Sequence, residues 1–156
     1  MKGVKVKLIT KPNPNLFGGG IEKYTEENPY VLRTKDKDGF DVLTQHPVSM
    51  KNGHTYTLQL KSDGILSNSR PDVYNTHKDF VALIVNSQQS RYVTMYLLSQ
   101  TMALGNGGHV ITFIWPHEDT VAYLRVGTFS DGVIENVIKF WDMKIEEGRI
   151  PTDIER

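Results

Sequence analysis

Apolar and polar residues alternate with a period of two along most of the chain. Val4, Val6 and Leu8 are interleaved with Lys5 and Lys7, the pattern of a strand with one buried face. In residues 54–60, Tyr56, Leu58 and Leu60 share one face. Residues 80–85 form a short continuous apolar run, and residues 91–98, 110–115 and 121–129 are rich in aromatic and branched side chains. Residues 137–145 close the series, and weaker strand patterns lie at 30–33 and 40–43. Turn formers separate these runs: Pro12-Asn13-Pro14-Asn15, Asp38-Gly39, Asn52-Gly53, Asp63-Gly64, Asn106-Gly107-Gly108, Trp115-Pro116 and Asp131-Gly132. About nine short strands with regular breakers predict an all-β sandwich or barrel. No segment holds a helical period beyond a turn or two, and residues 70–79 read as a short helix or an irregular loop.

The chain has 156 residues, enough for one domain that buries roughly 70% of its unfolded surface. It contains no Cys, which removes disulfides, thiolate metal sites and thiol nucleophiles. Lys plus Arg is 18 and Asp plus Glu is 18. A zero net charge lacks the cationic field of a general nucleic-acid or anionic-membrane binder, so neither partner is expected. Charge interrupts every apolar pair in residues 1–7, so no signal peptide is expected, and no run approaches the length of a membrane span. The Pro12–Pro14 stretch marks residues 1–14 as an N-terminal arm or strand, a candidate assembly contact, and leaves 15–156 as the main domain.

The usual catalytic patterns are missing. His46, His54, His77, His109 and His117 form no HExxH or HxH pair and read as surface or turn residues. Gly18-Gly19-Gly20 is followed by no Gly-Lys-Ser/Thr, so it reads as a flexible connection and not a phosphate cradle. No GxSxG elbow occurs. The pairs Glu26-Glu27, Glu118-Asp119 and Glu146-Glu147 are sequence neighbours, which a strand points to opposite faces. An enzyme is not expected.

Outward-facing aromatics are the candidate ligand chemistry, because sugars are bound by flat aromatic faces and planar polar groups. Val93, Met95 and Leu97 form the more apolar set of their run, which turns Tyr92, Thr94 and Tyr96 outward. Leu124 and Val126 point inward, which turns Tyr123 and Arg125 outward. These residues either line a groove or simply cover an outer face by strand propensity. Trp115, before Pro116, either stacks on a ligand or caps the core. On the closing strand Trp141, Met143 and Ile145 are read as the core set, with Phe140, Asp142, Lys144 and Glu146 opposite.

Four stretches resemble, in order, a known module. Asn15-Leu16-Phe17 before glycines is similar to its opening. Lys51-Asn52-Gly53-His54-Thr55-Tyr56-Thr57-Leu58 is similar to its "GktYTlS" segment, and Tyr123-Leu124-Arg125-Val126-Gly127 to its penultimate strand. Lys144-Ile145-Glu146, Gly148 and Pro151-Thr152 resemble its closing "KLE.G..PT". The module is the carbohydrate-binding-module-like jelly roll frequent in phage tail and baseplate proteins. The Thr-x-Trp-Ser-Pro tail usual there is missing, since 152–156 read Thr-Asp-Ile-Glu-Arg, and one module is expected to make up nearly the whole protein.

The resemblance implies an all-β jelly-roll β-sandwich of two antiparallel sheets. It also implies a virion structural protein of a phage or prophage, assembled in the host cytoplasm, that attaches to host cell-wall polysaccharide. Other virion proteins would be its partners and a homotrimer its assembly. No cofactor is required, but some members hold a structural calcium between two carboxylates, whose positions match Glu22 and Asp142 here. A non-adhesive head or tail decoration or assembly protein is the alternative, and a small polysaccharide-active enzyme the second.

Overall fold

The computed structural model describes residues 11–34, 39–66, 79–86, 94–96, 102–105, 107–128 and 136–156. The helical structure in this set is one 3₁₀ turn, η1 (Ile21–Lys23). Ten strands follow: β1 (Tyr30–Thr34), β2 (Gly39–Met50), β3 (Thr55–Ser62), β4 (Ile65–Leu66), β5 (Asp79–Val85), β6 (Thr94–Tyr96), β7 (Met102–Gly105), β8 (Gly108–Ile114), β9 (Thr120–Thr128) and β10 (Asn136–Glu147). Two short strands, β4 and β7, fall outside the expected runs, and β2 runs seven residues past the expected end at Leu43. The Val4–Leu8 pattern, the 70–78 segment and Tyr92 lie outside the described residues.

One sheet has the order β1-β10-β3-β8-β7, the other β2-β9-β5-β4, with β6 also on β5. All pairings are antiparallel except the two-residue β4–β5 contact. The fold is therefore all-β and two-layered, and its strands are nested: the first pairs with the last, the second with the ninth. The expected inward rows pack between the layers. Tyr56, Leu58 and Leu60 on β3 meet Ala122, Leu124 and Val126 on β9 in one buried cluster. Phe80 of one sheet stands edge-on to Phe140 of the other, with centroids 4.9 Å apart at 86°, a geometry that adds about 0.5–1.5 kcal/mol to the area term.

β10 departs from the expected phase. Met143 and Ile145 are in the core, but so are Ile138 and Phe140, while Trp141 lies outside the core cluster. The cause is a one-residue bulge. Trp141 pairs with Lys61 and Lys144 with Gln59, so three steps on β10 match two on β3. Asp142 takes up the difference at φ 49°, a left-handed conformation that Asp tolerates better than most residues. A simple period of two carried across this point assigns Phe140 and Trp141 to the wrong sides.

The histidines also differ from expectation. His46 is buried, with Nδ1 3.0 Å from the Gly18 carbonyl and Nε2 3.3 Å from the Tyr24 hydroxyl. His109 is paired with Leu60 and stands edge-on to Phe80 at 6.0 Å, its Nδ1 buried without a hydrogen-bond partner. Burial lowers its pKa below the ordinary 6.5. The unfolded chain then takes up the proton first, so the fold loses stability as pH falls below about 6.5. Replacing His109 by Phe is expected to flatten this dependence. Urea midpoints compared at about pH 7.5 and pH 5.5 check it; equal drops in wild type and H109F would remove the assignment.

Residues 148–156 run over the outer side of the β10-β3-β8 sheet. Thr57 Oγ1 donates to the Gly148 carbonyl at 2.6 Å, Thr112 Oγ1 to the Arg149 carbonyl at 3.4 Å, and Gln59 Nε2 to the Thr152 carbonyl at 2.6 Å. Beneath them the buried Lys144 and Glu146 face each other at 3.8 Å. Lys144 donates to Thr152 Oγ1 at 2.9 Å and to the Asp153 carbonyl at 2.6 Å. Glu146 accepts the Thr152 N–H and hydroxyl, and Asn13 Nδ2 joins it at 3.2 Å. The residues that carry the sequence resemblance at this end thus form one hydrogen-bonded unit.

Candidate ligand-binding face

One sheet is crossed by the chain's own segment, and the hollows beside it are lined partly by charged side chains; the other sheet presents the candidate site. Ala122, Leu124 and Val126 of β9 are fully buried, so Val121, Tyr123 and Arg125 occupy the outward row, as the alternation predicts. Register puts Pro47 and Val85 on either side of Tyr123, and Val42 and Leu83 on either side of Arg125. Tyr96 pairs with Leu83, so the backbone places Tyr96 and Arg125 two strands apart in one cross-strand row. Leu83 and Val85 are buried although they belong to the outward set. The accessible part of this face therefore lies on the β2–β9 side.

There a shallow groove of about 460 Å³ is lined by Leu16, Gly18, Pro47, Ser49, Val121 and Tyr123. Val121 is 45% exposed. The opening segment is fixed against this wall. Leu16 N donates to the Ile145 carbonyl and Gly18 N to the Pro47 carbonyl, both at 2.8 Å, so these residues bridge the two sheets. Asn15 supports them, its Nδ2 donating to the Met143 carbonyl at 2.9 Å and its Oδ1 accepting from Phe17 and Ile145. The groove combines an apolar, uncharged wall with one phenol and one hydroxyl, a composition suited to a sugar's C–H face and hydroxyls.

Of the residues singled out in the sequence, Tyr123 lies in this groove and Arg125 continues its row. Leu16, Pro47, Ser49 and Val121 were not singled out. Val121 had a signal, since it precedes Tyr123 by two on the outward row; the others reach the site through pairing and a loop. Trp115 is fully buried, and its Nε1 donates to the Glu118 carbonyl at 3.0 Å. Of its two roles, it caps the core and offers no open ring face. It anchors a loop hollow of about 400 Å³ that includes Asn86, His117, Glu118 and Asp119. Asn52 ties that loop down through Asp119 Oδ1 and the His117 carbonyl, each at 2.8 Å.

Glu22 and Asp142, the positions matching a calcium pair, do approach each other, but not through two carboxylates. The Glu22 side chain is exposed, and it is its carbonyl that accepts from Arg156 Nε at 3.1 Å. Arg156 also donates to the Tyr24 carbonyl at 3.4 Å and pairs with Asp142 Oδ1. Lys61 Nζ stands 3.3 Å from Asp142 Oδ2. Ca²⁺ takes 6 to 8 oxygens, and among the described residues no group of three or more acidic or histidine side chains converges. Two backbone carbonyls and one carboxylate converge here, and their positive partners in this structure are Arg156 and Lys61. Comparison with models of known families, with curated proteins and with solved structures finds no match for this chain.

Proposed function

We propose that the protein is a virion component of a phage or prophage, with a jelly-roll domain that binds host cell-surface glycan along the Tyr123 groove. The observation that carries the glycan reading is the asymmetry of the two outer faces. One is crossed by residues 148–156, and the hollows left beside them carry charged side chains such as Lys61, Asp142, Arg149 and Arg156, while the other holds an uncharged groove with Tyr123 and the exposed Val121. The orders β1-β10-β3-β8 and β2-β9-β5-β6 support the jelly-roll reading, since they nest the chain as two interleaved Greek keys do. The virion context rests on the four ordered sequence stretches. The Lys144–Glu146–Thr152 unit supports it by giving the closing stretch a physical role.

Retention of the purified protein on insoluble host cell-wall polysaccharide tests this. Tyr123→Ala is expected to weaken retention about tenfold or more, the scale of losing one central contact, with the unfolding midpoint as a control. No retention of the wild type would leave the non-adhesive structural protein as the better reading. Release of reducing ends during incubation would instead point to the enzyme.

A further inference from the structure

We infer that the Arg156 guanidinium acts as a built-in cation for an oxygen cluster made by the Glu22 and Tyr24 carbonyls and the Asp142 carboxylate. The cluster is assembled from distant parts of the chain. Glu22 and Tyr24 belong to the η1 turn and its end. Asp142 is the left-handed residue of the β10 bulge, and its own N–H donates to the Tyr24 carbonyl at 3.2 Å. The bulge therefore aligns the strand with the turn and supplies the only side-chain charge of the three oxygen groups. Oxygens gathered in this way need a positive partner, because their mutual repulsion is otherwise relieved only by water.

A planar guanidinium meets that need with several donors in fixed directions. Arg156 uses Nε for one carbonyl and a terminal nitrogen for the other carbonyl and the carboxylate. A divalent ion at this place would have to displace Arg156 and lie beside the Lys61 ammonium, which already faces Asp142 Oδ2. The clasp thus joins the η1 turn, the β10 bulge and the 149–156 segment without a metal. It is independent of the Tyr123 groove, which lies on the other sheet.

Thermal unfolding of the full chain in excess EDTA and in millimolar calcium chloride, for wild type and Arg156→Ala, tests the assignment. The wild type is expected to melt at the same temperature in both. R156A should melt about 2–4 °C lower in EDTA. It should also bind terbium, read as luminescence sensitised by the nearby Tyr24 and Tyr30 rings, at least about tenfold more tightly than wild type, and Asp142→Asn in the R156A background should abolish the gain. Calcium stabilisation of the wild type that EDTA removes would overturn the inference. So would an R156A protein with the wild-type melting temperature and no gain in terbium binding.

Discussion

Replacing Glu146 by alanine is expected to lower the unfolding free energy by about 3–5 kcal/mol, because it strands the buried Lys144 ammonium without its carboxylate. Both side chains are almost fully inaccessible, at 0% and 1% exposure. The carboxylate also accepts from Gln59, Asn13 and Thr152, at 2.7 to 3.2 Å. Its loss therefore releases the 149–156 segment as well as the ion pair. Thr152→Val, which removes one hydroxyl but keeps its volume, should cost about 1–2 kcal/mol. Exchange of both charges in Lys144→Met/Glu146→Leu should cost less than E146A alone, because no charge is left buried unpaired. Urea unfolding of the four proteins measures this. An E146A protein within about 1 kcal/mol of wild type would show that the network carries little of the stability.

Gly19→Ala is expected to be as damaging, by a different route. An added methyl group would lie 1.9 Å from the Gln45 carbonyl oxygen, and the residue sits at φ 71°. Backbone displacement together with the left-handed strain should cost about 3–5 kcal/mol. Gly20 is the internal control. Its φ is 69°, but an added methyl meets nothing within 4 Å, so Gly20→Ala should lose only about 1–2 kcal/mol. Thermal or urea unfolding of the pair separates the terms, and equal losses would mean that the close approach at Gly19 is relieved cheaply. The three glycines are thus not a loose connection. Gly18 binds His46 and Pro47 through its backbone, and Gly19 lets the chain lie against the irregular part of β2 between Val42 and Pro47.

The strands were legible wherever one face is wet and the other buried, as in β3 and β9, because there period two follows directly from the pleat. It failed where the backbone breaks the pleat. Asp142 and the Leu43–His46 stretch insert extra residues, and nothing in an apolar/polar pattern marks an insertion. The outward position of Tyr123 and Arg125 could be read from their neighbours. The groove could not, because Pro47 and Leu16 reach it through pairing across the sheet and through a loop. Trp115 shows the same limit. A tryptophan before proline suits a rim or a cap equally well, and the full burial of the ring, with its N–H given to the Glu118 carbonyl, distinguishes them. Lys144 and Glu146 read only as lying opposite the core set, since alternation shows which side of a sheet a residue takes but not whether another segment later lies over it.

The nesting of the strands has a consequence in time. Among the described residues β1 has only β10 as a sheet neighbour, and β3 sits between β10 and β8. During synthesis most of the sandwich's partners are still unmade when its first strands emerge. The first sheet cannot close until β10 has been translated, and Leu16 cannot bridge the layers before then because its acceptor is on Ile145. Such long-range pairing belongs to the slow end of folding, milliseconds to seconds for small β domains. Until that moment the nascent chain carries open strand edges, and its final strand acts as the wedge that locks both layers at once.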